Sequence, residues 1–246
     1  MTTVTDYNAF LALQKRYPRT VSNDYLMPGG LRELAEHGLL SYAADERALF
    51  MYERREGFYK LYFRLRGDAA ELPPCGQTLA AFLVYREGGP PGAAAEWLTG
   101  QGFRFRITLA RHVAKGIGGV LSDDGVEDAS ADETYALLGQ HFSAAEADLP
   151  CRAQFEGACC VRSEDGTPVG VLYKGAQTRL EAIRPEARGR GLGRRLYLAY
   201  AAGKLRDNPN AVFHEWIRLD NTASLSMFNQ FGFVRDGVMT DCYVKE

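Results

Sequence analysis

Leu180-Glu-Ala-Ile-Arg-Pro185-Glu-Ala-Arg188-Gly189-Arg190-Gly191-Leu192-Gly193-Arg194-Arg195-Leu196 is the stretch on which the reading of the chain turns. A short apolar run over 180–184 has strand character and meets a proline. A turn of alternating arginine and glycine follows, and helical apolar spacing begins at Leu192. In the order strand, glycine-rich loop, helix start, unpaired backbone N–H groups converge and the helix dipole adds partial positive charge. Glycine lets the backbone approach a ligand closely, and Arg188, Arg190, Arg194 and Arg195 add charge. The arrangement suits an anion, with a pyrophosphate as the natural guest. Alone it is not diagnostic, because Gly189-Arg190-Gly191 also fits part of a dinucleotide fingerprint.

The pattern downstream narrows the choice. A helix is expected over 192–205, with Leu192, Leu196, Ala199 and Tyr200 on one face, ending at Asp207-Asn-Pro-Asn210. A strand over 211–219 leads to Asn221-Thr-Ala-Ser224-Leu-Ser-Met227-Phe228-Asn-Gln230-Phe-Gly232-Phe233, which reads as a short helix. Gly232 suits a left-handed helix end.

These two stretches together resemble the GCN5-related N-acetyltransferases (GNAT). The family's acyl-CoA loop runs Arg or Gln, two residues, Gly, one residue, Gly or Ala; here Arg188, Gly191 and Gly193 match. In its next motif an Asn follows the fifth strand, and a helix carries a small residue, an apolar residue and Tyr before ending in Gly-Phe. Asn221, Ser224, Met227, Gly232 and Phe233 match. The resemblance covers residues 132–246.

The resemblance implies an α+β (mixed α/β) fold with a central mixed sheet flanked by helices, whose fourth and fifth strands splay apart to hold acetyl-CoA as co-substrate. Backbone near Ile183 would pair with the pantetheine amides. The loop Arg188, Gly189, Arg190, Gly191, Leu192, Gly193 and Arg194 would hold the pyrophosphate. Asn221, with Ser224 and Phe228 on the helix after it, would lie along the pantetheine arm. Asn221 also suits a helix N-cap by residue type. The implied reaction is acetyl transfer to a primary amine of a small molecule or peptide, by direct attack in a ternary complex, with the oxyanion stabilised by strand N–H groups near Ile183.

One position departs from the pattern. Phe228 stands where most members carry the Tyr that protonates the departing CoA thiolate, and a phenyl ring carries no such proton. Water, Ser226 or Tyr243 are candidates for that role. The base is open between two carboxylates. Glu181 shares a strand face with Ile183, and Glu215 shares one with Ile217. Arg179, Arg184 and Arg218 are close enough in sequence to pair with either instead. His214 points away from Glu215 and reads as structural.

The first half reads as a helix over 7–15, a helix over 31–40, strands over 48–54, 58–65 and 79–85, a helix over 93–98 and a strand over 104–109. A break at Gly88-Gly89-Pro90-Pro91-Gly92 stands where a phosphate loop would be, and proline supplies no N–H. Residues 1–128 are expected to form a degenerate, CoA-free copy of the fold or an unrelated α+β cap. Its aromatics Tyr52, Phe58, Tyr59, Tyr62 and Phe63 read as core. A Gly/Asp/Ser-rich linker over 116–132 separates it from residues 129–246. There the pattern gives a helix from Asp132, strands over 155–162 and 169–173 about an Asp165-Gly166 turn, and terminal strands over 234–239 and 242–244.

Composition bounds the rest. The 246 residues are 46% hydrophobic and 11% aromatic, sufficient for ordinary cores. A formal charge of −2 gives no sign of a nucleic-acid or membrane surface. With no signal-like start and no apolar run near ~20 residues, a cytoplasmic monomer or homodimer is expected. The five cysteines form no CxxC pair, so no metal site is expected. The second reading is a non-catalytic acyl-CoA-binding module or sensor, which Phe228 and the degenerate first half favour. Nucleotide binding without CoA is a weaker third.

Overall fold

The computed structural model describes residues 1–67, 70–89, 92–119, 121–175 and 179–246. Pro90 and Pro91 of the expected break, and Val120 of the expected linker, lie outside them. The chain divides into two compact units, each gathered from separate stretches. One comprises Met1–Leu109, Ala144–Leu149 and Gly237–Glu246; the other comprises Ala110–Ser143 and Pro150–Asp236.

The first unit holds β1 (Thr2–Thr3), α1 (Tyr7–Gln14), β2 (Val21–Ser22), α2 (Pro28–Glu36), β3 (Leu40–Ala44), β4 (Ala48–Arg54), β5 (Tyr59–Leu65), β6 (Leu79–Arg86), α3 (Gly92–Gly100) and the start of β7 (Arg104–Ala114). β3, β4 and β5 form an antiparallel meander, and β6 then pairs parallel to β5. Phe50, Tyr52, Leu61, Phe63, Trp97 and Phe103 are buried together in its core. Phe58 and Tyr62 are also buried, as expected.

α2 differs from expectation. Pro28 begins it, where the ring's fixed φ is pre-organised and the missing N–H costs nothing. Gly38, at φ 64°, ends it, and Leu39 N bonds back to Leu34 O, so Leu40 starts a strand instead of a further turn.

The second unit holds the end of β7, then β8 (Glu127–Ala129), α4 (Ala131–Gly139), β9 (Ala158–Arg162), β10 (Pro168–Lys174), β11 (Arg179–Ile183), α5 (Leu192–Asp207), β12 (Phe213–Arg218), α6 (Thr222–Gln230) and the start of β13 (Val234–Lys245). The two terminal strands expected over 234–239 and 242–244 are thus one; its later residues pair antiparallel with β6 in the first unit. α4 starts with a capping box: Ser130 Oγ accepts from Glu133 N, and the Glu133 side chain returns to the Ser130 N–H.

β8, β9, β10 and β11 make an antiparallel four-stranded sheet. α5 packs on the face carrying Cys159, Val161 and Leu172, against Leu196, Tyr197 and Ala201. The fit is close at Gly170, where a Cβ would lie 2.5 Å from Ile183 Cδ1 and 3.3 Å from Leu196 Cδ1. β12 lies beside β7. Among the described residues no ladder joins β11 to β12, so each presents an edge. The fold is mixed α+β: sheets with parallel and antiparallel pairs, and helices on their faces.

Candidate active site

The loop between β11 and α5 is shaped by two left-handed glycines, Gly189 at φ 74° and Gly191 at φ 73°. Other residues rarely adopt that conformation. Gly191 is the N-cap of α5 and brings no capping side chain. The first helical bond runs from Arg195 N to Gly191 O. The N–H groups of Leu192, Gly193 and Arg194 therefore lack helical partners and point outward from the helix start. Arg188, Arg190 and Arg195 are exposed around them. Arg195 donates to Asp124 O, and Arg194 lies over the Phe231 ring at 5.0 Å. The result is a positive rim around free backbone donors.

β11 supplies a second set of backbone groups. Arg184 N bonds to Val169 O on the β10 side. By the alternation of an antiparallel ladder, the N–H and C=O of Ile183 and Glu181 face the opposite way, toward the open edge. The Ile183 carbonyl accepts from Arg188 Nε at 3.1 Å.

Side chains of both candidate carboxylates turn inward beneath α5. Glu215 is buried on β12 between Phe213 and Ile217, whereas its neighbour His214 is exposed. Glu215 Oε1 accepts from Arg179 Nε at 2.6 Å and from Tyr197 OH at 2.8 Å. Arg179 also donates to His214 O, so this one side chain links the beginnings of β11 and β12. Burial raises the Glu215 carboxyl, while Arg179 and the Tyr197 hydroxyl oppose the rise.

Glu181 is different. Its Oε2 is buried with no hydrogen-bond partner among the described residues. Its Oε1 packs where a Cβ of Gly193 would otherwise sit. Burial, then the nearby Glu215 charge, pushes its carboxyl up to about 7. Of the three arginines near the two carboxylates in sequence, Arg179 pairs with Glu215, and Arg218 pairs instead with Asp220.

The other expected residues are placed as follows. Asn221 caps α6, its Oδ1 accepting from Ser224 N at 3.1 Å. Phe228 is buried in an aromatic cluster with Tyr197, Phe231 and Phe233, edge-on to Tyr197 at 4.8 Å. Tyr243 belongs to the first unit, where it packs on Phe105 and burial raises its hydroxyl. Tyr197 has no counterpart in the sequence reading. Its only signal is an α5 position one residue past Leu196, on the edge of the apolar face.

All five cysteines are free thiols, and Cys159 and Cys160 are both buried. Among the described residues no cluster of three or more His, Cys, Asp or Glu is placed to hold a metal ion, and no helix is long and apolar enough to cross a membrane.

A strand running into a glycine-rich helix start, beside a facing strand edge with no ladder between them, is an arrangement of the acetyltransferase fold. Residues 125–233 match the family model described as Acetyltransferase (GNAT) family, and this part of the chain is a GNAT acetyltransferase domain. Solved structures share the fold at low identity. A Drosophila protein aligns with TM-score 0.63 at 14% identity, over 97% of this chain and 86% of its own. A putative acetyltransferase from Pyrococcus horikoshii aligns with TM-score 0.55 at 11% identity, over 100% and 88%. A putative GNAT-family acetyltransferase from Novosphingobium aromaticivorans aligns with TM-score 0.51 at 21% identity, over 68% and 74%. Among curated proteins, no sequence relative matches the chain.

Proposed function

We propose that the protein transfers the acetyl group of acetyl-CoA to a primary amine. The observation that carries this is one continuous set of groups in the second unit: the free N–H donors of Leu192–Arg194, the outward amides of β11, and the unpaired Glu181 carboxylate beside them. The donors fit a pyrophosphate. The amides of Glu181 and Ile183 fit the alternating amides of a pantetheine arm. Rotation of Arg188 off the Ile183 carbonyl would free that acceptor and bring its guanidinium to the phosphate side.

In this reading Glu181 is the base. The acceptor ammonium loses a proton to Glu181, directly or through one water, and its nitrogen lone pair attacks the thioester carbonyl carbon. The carbon–sulfur bond breaks, the attacking nitrogen sheds its second proton to solvent as the neutral amide forms, and the departing thiolate takes up a proton from solvent. A group that titrates near 7 is matched to that task. Glu215, bonded to Arg179 and Tyr197, orients the site, and its charge keeps Glu181 basic. Phe228 fits a core role, and a thiolate of pKa about 8.5 leaves without a dedicated acid.

The test is calorimetric binding of acetyl-CoA together with thiol release over a panel of amines. Binding with amine-dependent thiol release is expected, and Glu181→Gln should lower kcat while leaving acetyl-CoA affinity within about twofold. Binding with no turnover across the panel would favour the sensor reading that Phe228 raises. Failure to bind acetyl-CoA would overturn both.

A further inference from the structure

The notch between β11 and β12 is closed at one end by a side chain. β10 covers one edge of β11, with Lys174 in register with Arg179 and Gly170 with Ile183. The other edge faces β12, with no ladder between them among the described residues. Arg179, the first residue of β11, spans this gap. Its Nε donates to Glu215 Oε1 at 2.6 Å, and its Nη2 donates to the backbone carbonyl of His214. One guanidinium thus bridges the strand starts where ladder bonds are missing.

The bridge is held from the helix side. The guanidinium lies over the Tyr200 ring at 5.7 Å, and Tyr197 OH donates to the same Glu215 oxygen at 2.8 Å. The Arg179 side chain is only 9% exposed. A planar fork fixed by two acceptors and packed on a ring has little freedom to swing aside.

The anion-binding N–H groups of Leu192–Arg194 lie past the opposite end of β11. A ligand anchored there and paired with the outward amides of Ile183 and Glu181 therefore runs along the strand edge toward Arg179. From Glu181 to Arg179 is two residues of strand, about 7 Å. An acyl chain that continues past Glu181 has only that span before it meets the bridge.

We infer that Arg179 determines which acyl groups the protein accepts: its bridge to Glu215 and His214 ends the notch, so that short groups such as acetyl fit and long unbranched ones do not. This rests on the acetyl-CoA site of the acetyl-transfer reading above. Arg179 is then a wall of the acyl pocket as well as the partner of Glu215.

The experiment is calorimetric binding of acetyl-, butyryl-, hexanoyl- and octanoyl-CoA to the full chain, with thiol release to the best amine of the panel as a second readout. In an open notch each added methylene would tighten binding by roughly fourfold. Against the bridge affinity should fall instead, by roughly tenfold or more from acetyl- to hexanoyl-CoA, the cost of overpacking a fixed wall. kcat/KM should fall in the same order. The pair variant Arg179→Ala/Glu215→Gln removes the bridge without leaving Glu215 charged and buried, and hexanoyl-CoA should then bind at least as tightly as acetyl-CoA. Arg179→Lys keeps a cation for Glu215 but has no fork to hold both acceptors; it should recover part of the loss, and it decides the matter if the pair variant does not fold. Hexanoyl- or octanoyl-CoA binding the wild type as tightly as acetyl-CoA, or a penalty unchanged by the Arg179 substitutions, overturns the inference and leaves the acetyl-transfer reading standing. Failure to bind acetyl-CoA overturns both.

Discussion

Oε1 of Glu181 occupies the space that a side chain on Gly193 would need. The third glycine of the loop is therefore set by the strand carboxylate beneath it. A Gly193→Ala substitution would normally gain up to about 1 kcal/mol in a helix. Here it must displace a buried, tightly packed carboxylate, and we expect a net loss of about 1–3 kcal/mol. In a Glu181→Ala background the same change should become stabilising. Urea unfolding of the four proteins of this cycle measures the sign reversal.

The Glu181 carboxyl, raised to about 7 by burial and by Glu215, gives a pH signature. As base it must be ionised, so kcat should rise with pH through about 7. Removing the Glu215 charge with Glu215→Gln should move that midpoint lower, because the second cause of the rise is gone. A pH–rate profile of the two proteins at saturating substrates checks it.

Stability carries the opposite sign. A carboxyl whose folded pKa lies above its unfolded value holds more protons when folded, so stability is lost as pH rises from about 4.5 through 7. Glu181→Gln, uncharged at every pH, should raise the melting temperature at pH 8 more than at pH 5. The free-energy difference should reach at most about 3 kcal/mol. Calorimetric scans at the two pH values decide it.

Tyr197→Phe removes one hydrogen bond to Glu215 Oε1 and leaves the Arg179 ion pair in place. We expect a cost of about 1–3 kcal/mol, as for a bond to a charged acceptor. Arg179→Met should cost more, about 3–5 kcal/mol, because it leaves Glu215 charged and buried without a cation. Denaturant unfolding orders the two variants.

Much of this geometry was legible in the chain, for identifiable reasons. The loop announced itself because Gly189 and Gly191 are glycines for a backbone reason, and arginines cluster beside them. α5, β11 and β12 followed from apolar spacing. The pairing of Glu215 was not legible: Arg179, Arg184 and Arg218 are equally near in sequence, and only strand direction and α5 packing select Arg179. Tyr197 was hidden for a similar reason, since its hydroxyl is defined by Glu215 on another element. β13 read as two strands because Gly237, Thr240 and Asp241 interrupt its apolar pattern. In the structure Asp241 is buried and accepts from Tyr85 and Thr108, so a polar residue sits inside the strand without breaking it.

The gap between β11 and β12 bears on more than catalysis. Two strand edges with unpaired amides are the surfaces on which chains add to one another and aggregate. In an acyl-CoA-bound protein the ligand would stand in for a missing strand and cover the β11 edge. Substrate supply would then act as a solubility control, with the ligand-starved protein prone to self-association and the saturated protein shielded from it.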